Sequence, residues 1–363
     1  MSLHLTDPTA LRVGLVGYGL AGAAFHAPLI ATTPGLRLHS VVTASPERRA
    51  ELHRDHPDAL AVDDVDALLA DPAALDLVVV ASPDHTHVPV AAAALAAGLP
   101  VVVDKPLAGS AAEALALVEQ AERLGLLLTV FQNRRWDADF RTARQLIADG
   151  SLGSVHRFES RFERWRTEVA VNWRQHPEAV RTGGTLFDLG SHLVDQAVQL
   201  FGPVGSVYAE VDVRRPGARV DDDAFVALTH TGGVRSHLWM SALAGQPGPR
   251  LRVLGDRSAY TAPQLDPQEA ALRAGRRPAA GWGTVAEADW GTLGTLEQTQ
   301  PYPSLPGAYP AFYTGVAAAL HEGTPAPVDP RDAVYVLGVL EAARRSAATG
   351  RTVEVAAAEE VLV

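Results

Sequence analysis

The first third of the chain alternates short apolar runs with alanine- and leucine-rich segments of helical character. Helix starts lie between the runs, for example the cap signal Ser45-Pro46-Glu47. Continuously apolar strands that alternate with helices predict a parallel sheet covered on both faces. The predicted strands are Leu11–Val16, Leu36–Thr43, Ala59–Val62, Leu75–Ala81, Leu99–Asp104 and Leu126–Phe131.

The pattern changes after Phe131, where longer helices and alternating polar and apolar positions replace the apolar runs. The turn Thr231-Gly232-Gly233 indicates an antiparallel hairpin. We therefore predict an α/β domain over residues 1–131 and an α+β domain with an open, mostly antiparallel sheet over residues 132–363. The predicted strands of the second domain are Val155–Arg161, Val207–Arg214, Ala224–His230, Val234–Ala242 and Leu251–Leu254. The predicted helices are Asn133–Gly150, Gly184–Phe201, Ala308–Glu322 and Arg331–Thr349, with a loop-rich stretch over Ala262–Pro310.

Composition narrows the class of protein. The 363 residues include 31 basic and 42 acidic side chains, a net charge of −11 that argues against binding nucleic acid or an anionic membrane surface. The absence of cysteine excludes disulfides, thiolate metal sites and a cysteine nucleophile. The N-terminus shows no signal-peptide pattern, and the uncharged stretch Val88–Val103 is interrupted by proline and glycine before it reaches the ~20 residues of a membrane span. We expect a cytoplasmic protein.

The strongest local signal is Gly17-Tyr18-Gly19-Leu20-Ala21-Gly22, which fits G-x-G-x-x-G between a predicted strand and a predicted helix. In a dinucleotide-binding Rossmann domain, the first glycine permits the turn and the second lets the backbone approach the pyrophosphate. The third permits close packing of helix on strand. The alternative is a glycine-rich turn that serves packing alone.

The end of the second predicted strand bears on the choice of cofactor. NAD-binding domains usually place an acid there, about 20 residues after the glycines, on the ribose hydroxyls. This chain has no acid at the strand tip, and Ser45 and Arg48 follow instead. A hydroxyl and a guanidinium suit a 2′-phosphate, which predicts NADP, with NAD as the second candidate. The alternative is that Arg48 is solvated on a surface helix.

A third segment of the cofactor edge follows the fourth predicted strand. It contributes Ser82, Pro83, His85 and His87. The spacing of the two histidines resembles a metal-binding pair, but no convincing third ligand accompanies it. We therefore expect a dinucleotide-binding edge and no metal site.

Lys105 is the single lysine of the chain, whereas the other 30 basic residues are arginine. It follows the fifth predicted strand in Asp104-Lys105-Pro106, at the sheet edge where ligands bind in open α/β folds. A compact ammonium that can lose its proton when desolvated suits the surroundings of a nicotinamide better than a guanidinium does. The alternative is chance placement.

Asp188 and His192 lie four residues apart in Gly184–Phe201, so one helical face would present both. An imidazole beside a carboxylate is suited to accept a proton from a hydroxyl. The spacing alone is equally typical of a core histidine and a solvated aspartate.

Taken in order, the glycine motif, Asp104-Lys105-Pro106 and Gly184-Thr185-Leu186-Phe187-Asp188-Leu189-Gly190-Ser191-His192 resemble the glucose–fructose oxidoreductase / inositol dehydrogenase / rhizopine catabolism (Gfo/Idh/MocA) family over nearly the whole chain. Further segments are most similar to NADP-dependent scyllo-inositol dehydrogenases. The resemblance implies that Lys105, Asp188 and His192 surround the reacting carbon. It also implies that the open sheet forms subunit contacts, hence a homodimer or homotetramer. Many members have Glu where this chain has Asp104.

The candidates for the substrate wall are Asn133, Arg134, Trp136, Arg166, Trp173 and Arg174. Guanidinium and indole N–H groups donate to polyol hydroxyls, although the arginines near residue 160 also alternate with glutamates, as exposed ion pairs do. We therefore predict an NADP-dependent oxidoreductase of a cyclic polyol or sugar, with scyllo-inositol as the leading substrate. Two alternatives remain: a non-catalytic dinucleotide sensor, and a sugar–sugar oxidoreductase that retains its cofactor.

Overall fold

The N-terminal part of the chain forms a six-stranded parallel sheet. The structure, a computed structural model, describes residues 9–169 and 184–356. Strand order is β3-β2-β1-β4-β5-β6, that of a doubly wound Rossmann fold, which confirms the predicted fold class. The strands are β1 Leu11–Val16, β2 Leu36–Val42, β3 Leu60–Val62, β4 Leu77–Val80, β5 Val101–Asp104 and β6 Leu128–Phe131. The helices are α1 Ala27–Thr32, α2 Pro46–Asp55, α3 Val65–Leu69, α4 His87–Ala96 and α5 Ala111–Leu124, and a π-helical segment over Ala21–His26 leads into α1.

The second part is built on a nine-stranded mixed sheet in the order β14-β13-β12-β11-β7-β10-β9-β8-β15. Only β7 and β10 pair in parallel among these described strands, so the predicted mostly antiparallel sheet is confirmed. The strands are β7 Val155–Glu163, β8 Val204–Asp212, β9 Asp223–His230, β10 Arg235–Ser241, β11 Leu251–Gly255, β12 Ala259–Ala262, β13 Gly291–Gly294, β14 Thr299–Tyr302 and β15 Val353–Glu354.

Helices cover one face of this sheet. The described helices of this second part are α6 Ala138–Ala148, α7 Thr185–Asp188, α8 Gly190–Phe201, α9 Pro267–Arg273, α10 Pro310–Glu322 and α11 Pro330–Thr349. The α8 and α11 helices pack on β7, β8 and β10, where alternate strand residues such as Phe158 and Leu238 are fully buried. The intervening residues form the opposite, open face of the sheet and are partly exposed.

Two predicted helices are each broken into two pieces. The predicted helix over Asn133–Gly150 is a 3-10 turn over Asn133–Trp136 followed by α6, because Asp137 adopts an extended conformation. The predicted helix over Gly184–Phe201 is interrupted at Leu189, between α7 and α8. Both breaks lie beside the cleft between the two sheets.

The last helices connect the two parts of the molecule. The Glu341 carboxylate of α11 accepts a hydrogen bond from the backbone N–H of Ala111 at the start of α5, at 3.0 Å. The Arg331 guanidinium pairs with Glu122 at 2.9 Å. In α10, the Tyr313 hydroxyl lies 2.6 Å from His26 Nδ1. These contacts hold the two sheets in a fixed relation across the cleft.

No helix in the described ranges is both long enough and apolar enough for a membrane span.

The packing of α8 on the second sheet makes a prediction for stability. Leu238→Ala removes a fully buried side chain and should lower the free energy of unfolding by about 2–5 kcal/mol. The matched control is Leu296→Ala, since Leu296 is fully exposed, and its effect should stay within about 0.5 kcal/mol. Chemical denaturation followed by tryptophan fluorescence measures both. Equal stability of the two variants would contradict this account of the core.

Candidate active site

The glycine turn after β1 is closed tightly against the end of β4. Gly17 has φ +98°, and a Cβ there would lie 2.7 Å from the Ala81 carbonyl oxygen. A Cβ on Gly22 would lie 2.0 Å from the carbonyl oxygen of Gly17. Neither position accepts a side chain, so the fold itself requires both glycines.

Gly19 differs from these two glycines because the space beside it is open. The nearest group to a Cβ at this position is the Arg48 guanidinium, at 3.8 Å. Gly19 and Arg48 both line the main cleft, together with Leu20 and Ala21. Tyr18 and Gly22 are buried behind the turn and do not line it. A bare backbone that faces a cleft lets a bulky anion approach closely.

Arg48 forms no ion pair among the described residues, whereas its neighbour Arg49 pairs with Asp63 and donates to the Thr43 carbonyl oxygen at 2.9 Å. The Ser45 hydroxyl caps α2 through the Arg48 backbone N–H at 3.3 Å and donates to Glu47 at 2.6 Å. Ser45 lies outside the cleft lining, so Arg48 is the better placed of the two predicted phosphate ligands.

The loop after β4 forms the next part of the cleft. Ser82 and Pro83 line it. His87 is buried, with ring nitrogens 2.8 Å from the Pro106 carbonyl oxygen and 2.9 Å from that of Ser82. It therefore connects the loops after β4 and β5. His85 is exposed and outside the cleft lining.

Lys105 reaches from β5 across to the second part of the chain. Its Nζ donates to the Asp188 carboxylate at 2.6 Å and to the backbone carbonyl oxygen of the same residue at 2.7 Å. The side chains are 13% and 26% exposed. One aspartate thus holds the ammonium through two oxygens at the junction of the two sheets.

The break between α7 and α8 supplies the second of these oxygens. In a continuous helix, the Asp188 carbonyl would accept the backbone N–H of His192. Here that N–H bonds to the Leu189 carbonyl oxygen at 3.2 Å, which leaves the Asp188 oxygen to Lys105 and, at 3.4 Å, to the Ser191 hydroxyl. The interruption is therefore part of the site.

His192 is buried beside this pair. Its Nδ1 has no hydrogen-bond partner in the described part of the chain, and its ring meets that of Phe162 edge-on at 6.2 Å. Burial holds the pKa of His192 well below its ordinary value, and the cations of Lys105 and Arg134 act in the same direction against the opposing charge of Asp188. The imidazole is therefore neutral near pH 7 and able to accept a proton.

The predicted substrate residues divide into three groups. Asn133 and Arg166 line the cleft. Arg134 lines it too, but its guanidinium is committed to Glu269, to the Tyr309 hydroxyl at 3.2 Å and to Asp137 at 3.4 Å. Trp136 does not line the cleft and packs edge-on against Phe312. Trp173 and Arg174 lie outside the described residues.

Sequence reasoning missed several residues of the cleft, among them Arg164, Arg215, Asp221, Glu269 and Arg273. Arg164 could have been recognised, because it lies two positions from Arg166, shortly after the predicted strand Val155–Arg161. Glu269 and Arg273 belong to α9, inside the stretch that was predicted as loop. The cleft that these residues complete measures about 630 Å³. The described residues contain no cluster of three or more metal-binding side chains.

Family models match both parts of the chain. Residues 11–132 match the NAD-binding Rossmann fold of an oxidoreductase family, and residues 144–355 match the C-terminal alpha/beta domain of the same family. The chain belongs to the Gfo/Idh/MocA oxidoreductase family.

Several members of this family align over almost their whole length. The scyllo-inositol 2-dehydrogenase (NADP(+)) IolW of Bacillus subtilis is 36% identical to this chain, and the alignment covers 94% of this chain and 95% of IolW. The oxidoreductase YdgJ of Escherichia coli is 40% identical, and the alignment covers 93% of this chain and 96% of YdgJ. Among solved structures, the Bacillus subtilis protein yvaA superposes with a TM-score of 0.90 at 35% identity, covering 95% of this chain and 98% of its own. The chain is thus an NAD(P)-dependent oxidoreductase.

Substitution of Gly22, where a Cβ has no room, and of Gly19, where the space is open, should have different effects. Gly22→Ala places a Cβ against the Gly17 carbonyl and should lower the melting temperature of the cofactor-free protein. Gly19→Ala meets no atom closer than 3.8 Å and should leave that temperature unchanged, yet weaken NADPH binding by filling the open backbone. Thermal unfolding and a fluorescence titration with NADPH separate the two effects. Normal NADPH affinity in Gly19→Ala would contradict this placement of the dinucleotide.

Proposed function

We propose that this chain is an NADP-dependent dehydrogenase or reductase that acts on a secondary alcohol or ketone of a cyclic polyol or sugar, with scyllo-inositol as the leading substrate. The observation behind the proposal is the Lys105 ammonium, held by two Asp188 oxygens where the glycine-turn cleft meets the second sheet. The neutral His192 lies beside it. A sensor of dinucleotides would not require this arrangement.

The residues of the cleft suit a nicotinamide dinucleotide. Gly19 leaves open backbone for a pyrophosphate, and Arg48 offers an uncommitted guanidinium to a 2′-phosphate. Ser82, Pro83 and Lys105 continue the same wall toward the second sheet. When bound, the nicotinamide supplies the hydride chemistry. The similarity to IolW, a scyllo-inositol 2-dehydrogenase (NADP(+)), supports the preference for NADP.

The three central residues have distinct roles in this proposal. His192 accepts the hydroxyl proton during oxidation through a ring nitrogen and returns it during reduction. Asp188 fixes the Lys105 ammonium and orients the substrate hydroxyl. Lys105 donates a hydrogen bond to the reacting oxygen, because an ammonium has three N–H donors and only two are used by Asp188.

The open face of the second sheet suits contact with further copies of this chain, as a homodimer or homotetramer. Rings of Phe225, His237 and Trp239 cluster there, with centroids 5.2–6.1 Å apart. The Arg161 guanidinium lies 3.9 Å from the Trp239 centroid. Aromatic and arginine side chains are enriched in such interfaces. We further place the enzyme in the cytoplasm, with no nucleic-acid or membrane partner.

A panel of inositols and aldoses with NAD⁺ and NADP⁺, read through nicotinamide absorbance, tests the proposal. Oxidation of a cyclic polyol with NADP⁺ supports it. Absence of turnover with every compound favours a dinucleotide sensor. Cofactor retained in the purified protein, with turnover only when a second sugar is added, favours a sugar–sugar oxidoreductase.

Arg48→Ala should raise the Michaelis constant for NADP⁺ by about 10- to 100-fold, the effect of lost hydrogen bonds to a charged group. That for NAD⁺ should change little, because NAD⁺ lacks the 2′-phosphate. The control is Arg54→Ala in the same helix, where Arg54 pairs with Asp55 away from the cleft. Equal specificity constants of the unmutated protein for the two cofactors would remove the basis of the NADP proposal.

Lys105→Arg should fold, bind NADPH within a few-fold of normal and lose most turnover. A guanidinium is longer and planar, so it cannot reproduce the two contacts of 2.6 and 2.7 Å and still approach the substrate oxygen. NADPH titration and steady-state rates are measured side by side. If the variant turned over at the parental rate, Lys105 would have no catalytic role beyond that of a positive charge at the strand edge.

His192→Ala should lower kcat by about 10²–10⁴-fold with little change in NADPH affinity. The control is His237→Ala, on the open face of the second sheet.

Because burial holds the pKa of His192 well below 6.5, the base stays unprotonated as the pH falls through that value. The kcat/KM of oxidation should therefore lose no activity around pH 6.5 and decline only at lower pH. An acid limb centred near 6.5, or full activity of His192→Ala, would place the base elsewhere.

A further inference from the structure

Two arginines enter the cleft directly after β7. The backbone N–H groups of Arg164 and Arg166 bond to the carbonyl oxygens of Ser241 at 2.8 Å and Ala242 at 2.7 Å, so the extended pairing of the sheet continues past the strand. Both residues line the cleft, whereas Trp165 between them does not. The sheet thus presents two guanidinium groups to the same space.

These two side chains lack the carboxylate partners that three other arginines of the cleft have, and in this they are like Arg48 at the glycine turn. Arg134 pairs with Glu269, Arg273 pairs with the same carboxylate at 3.3 Å, and Arg215 pairs with Asp222 at 2.8 Å. Neither Arg164 nor Arg166 forms a side-chain ion pair or hydrogen bond with any described residue. Burial lowers the pKa of Arg164 and the charge of Arg166 lowers it further, against the opposing charges of Glu269 and Asp188.

The nearby acids do not neutralise this pair. Glu269 is already bound by two arginines, and the Asp188 carboxylate is bound by Lys105. Glu168 follows on the same segment and also lines the cleft, but it forms no ion pair with Arg164 or Arg166, and both Arg166 and Glu168 are exposed. Arg164 and Arg166 therefore have no described carboxylate partner of their own, although acids such as Asp188 and Asp221 also line the cleft.

We propose that Arg164 and Arg166 bind an anionic group of the substrate, a carboxylate or a phosphate monoester, and that this enzyme acts on an acidic sugar or polyol. The proposal rests on the proposed function and, within its substrate class of cyclic polyols and sugars, favours an acidic compound over the neutral scyllo-inositol. Two guanidinium groups offer the forked N–H donors that carboxylate and phosphate oxygens accept in pairs.

The shape of the site leaves room for such a group. A second cavity of about 750 Å³ adjoins the cleft and shares Arg164, Arg166, Glu269 and Arg273 with it. The paired arginines are therefore common to the reaction cleft and to the space beyond it. A ring that reacts beside Lys105 and His192 can extend an acidic substituent to the two arginines, whereas the rest of the second cavity also includes carboxylates, Asp266 and Asp289 among them.

The test compares ligands that share one ring and differ in charge. D-glucuronate and D-glucose 6-phosphate are the anionic probes, and D-glucuronamide and D-glucose are the neutral ones, with the amide nearly isosteric with the acid. Dissociation constants are measured by quenching of NADPH fluorescence at saturating NADPH, so that the cofactor phosphate already occupies its own site. The kcat/KM values with NADP⁺ are measured for the same compounds and for scyllo-inositol.

We expect at least one anionic probe to bind about 10- to 100-fold more tightly than D-glucuronamide. Arg164→Gln and Arg166→Gln should each reduce this acid-to-amide ratio toward one, and Arg166→Lys should retain part of it, since it keeps the charge without the fork. Preference for the carboxylate or for the phosphate identifies the anion. The control is Arg157→Gln, on the same strand but outside the cleft, which should leave the ratio unchanged.

An acid-to-amide ratio of one or less in the parent protein would overturn the inference. A high ratio that survives both glutamine variants would overturn it too. Either result leaves the proposed function standing if scyllo-inositol or another neutral polyol is oxidised. Conversely, a high acid-to-amide ratio that both glutamine variants abolish supports the anion site, even if the enzyme turns over no compound of the panel. In that case the proposed function is contradicted and the anion site is not.

Discussion

The site depends on one interaction, the contact of the Lys105 ammonium with two oxygens of Asp188. The lysine comes from the edge of the parallel sheet and the aspartate from the end of α7, so the contact sets the position of the second domain over the cofactor edge. A largely buried ammonium requires such compensation, because removing it from water without a partner is costly. The helix break at Leu189 supplies half of it by releasing the Asp188 carbonyl oxygen.

The charges around His192 follow from this contact. The ammonium of Lys105 and the guanidinium of Arg134 surround a buried imidazole, and the neutral ring avoids both repulsion and desolvation. Arg134 is itself fixed by Glu269 and Asp137. In the proposed mechanism, these groups would give the site a base that is neutral at working pH and, in Lys105, a cation that donates to the reacting oxygen. Arg164 and Arg166, which also line the cleft and have no described counter-ions, then remain as the proposed ligands of an anionic substrate group.

Much of the parallel sheet could be predicted because its strands are buried on both faces and therefore appear as continuous apolar runs. The short strands β12 to β15 could not, because they are two to four residues long and include polar, glycine or proline positions. The break at Leu189 was also beyond prediction. Nothing in the apolar spacing of Gly184–Phe201 signals it, since the partner that takes the released carbonyl is 83 residues away.

In the site, too, features that depend on local sequence could be predicted, and features that depend on residues far away in the chain could not. The glycine turn could be predicted from its G-x-G-x-x-G motif. Lys105 could be singled out because it is the only lysine in a chain that otherwise uses arginine. Ser45 was predicted as a phosphate ligand, yet its hydroxyl caps α2 and binds Glu47. Arg164 was interpreted as part of an exposed charged pattern, because a sequence does not reveal which arginines lack a carboxylate neighbour in space. Packing decides that property.

The most direct measurement uses the fact that Lys105 is the only lysine in the sequence. Protein labelled with ¹⁵N at the lysine Nζ gives one side-chain ammonium signal, whose proton exchange with water can be measured by NMR. We expect slow exchange in the parent protein and much faster exchange in Asp188→Asn, which loses the carboxylate contact. An exchange rate like that of a solvated lysine in the parent, unchanged by Asp188→Asn, would contradict the account.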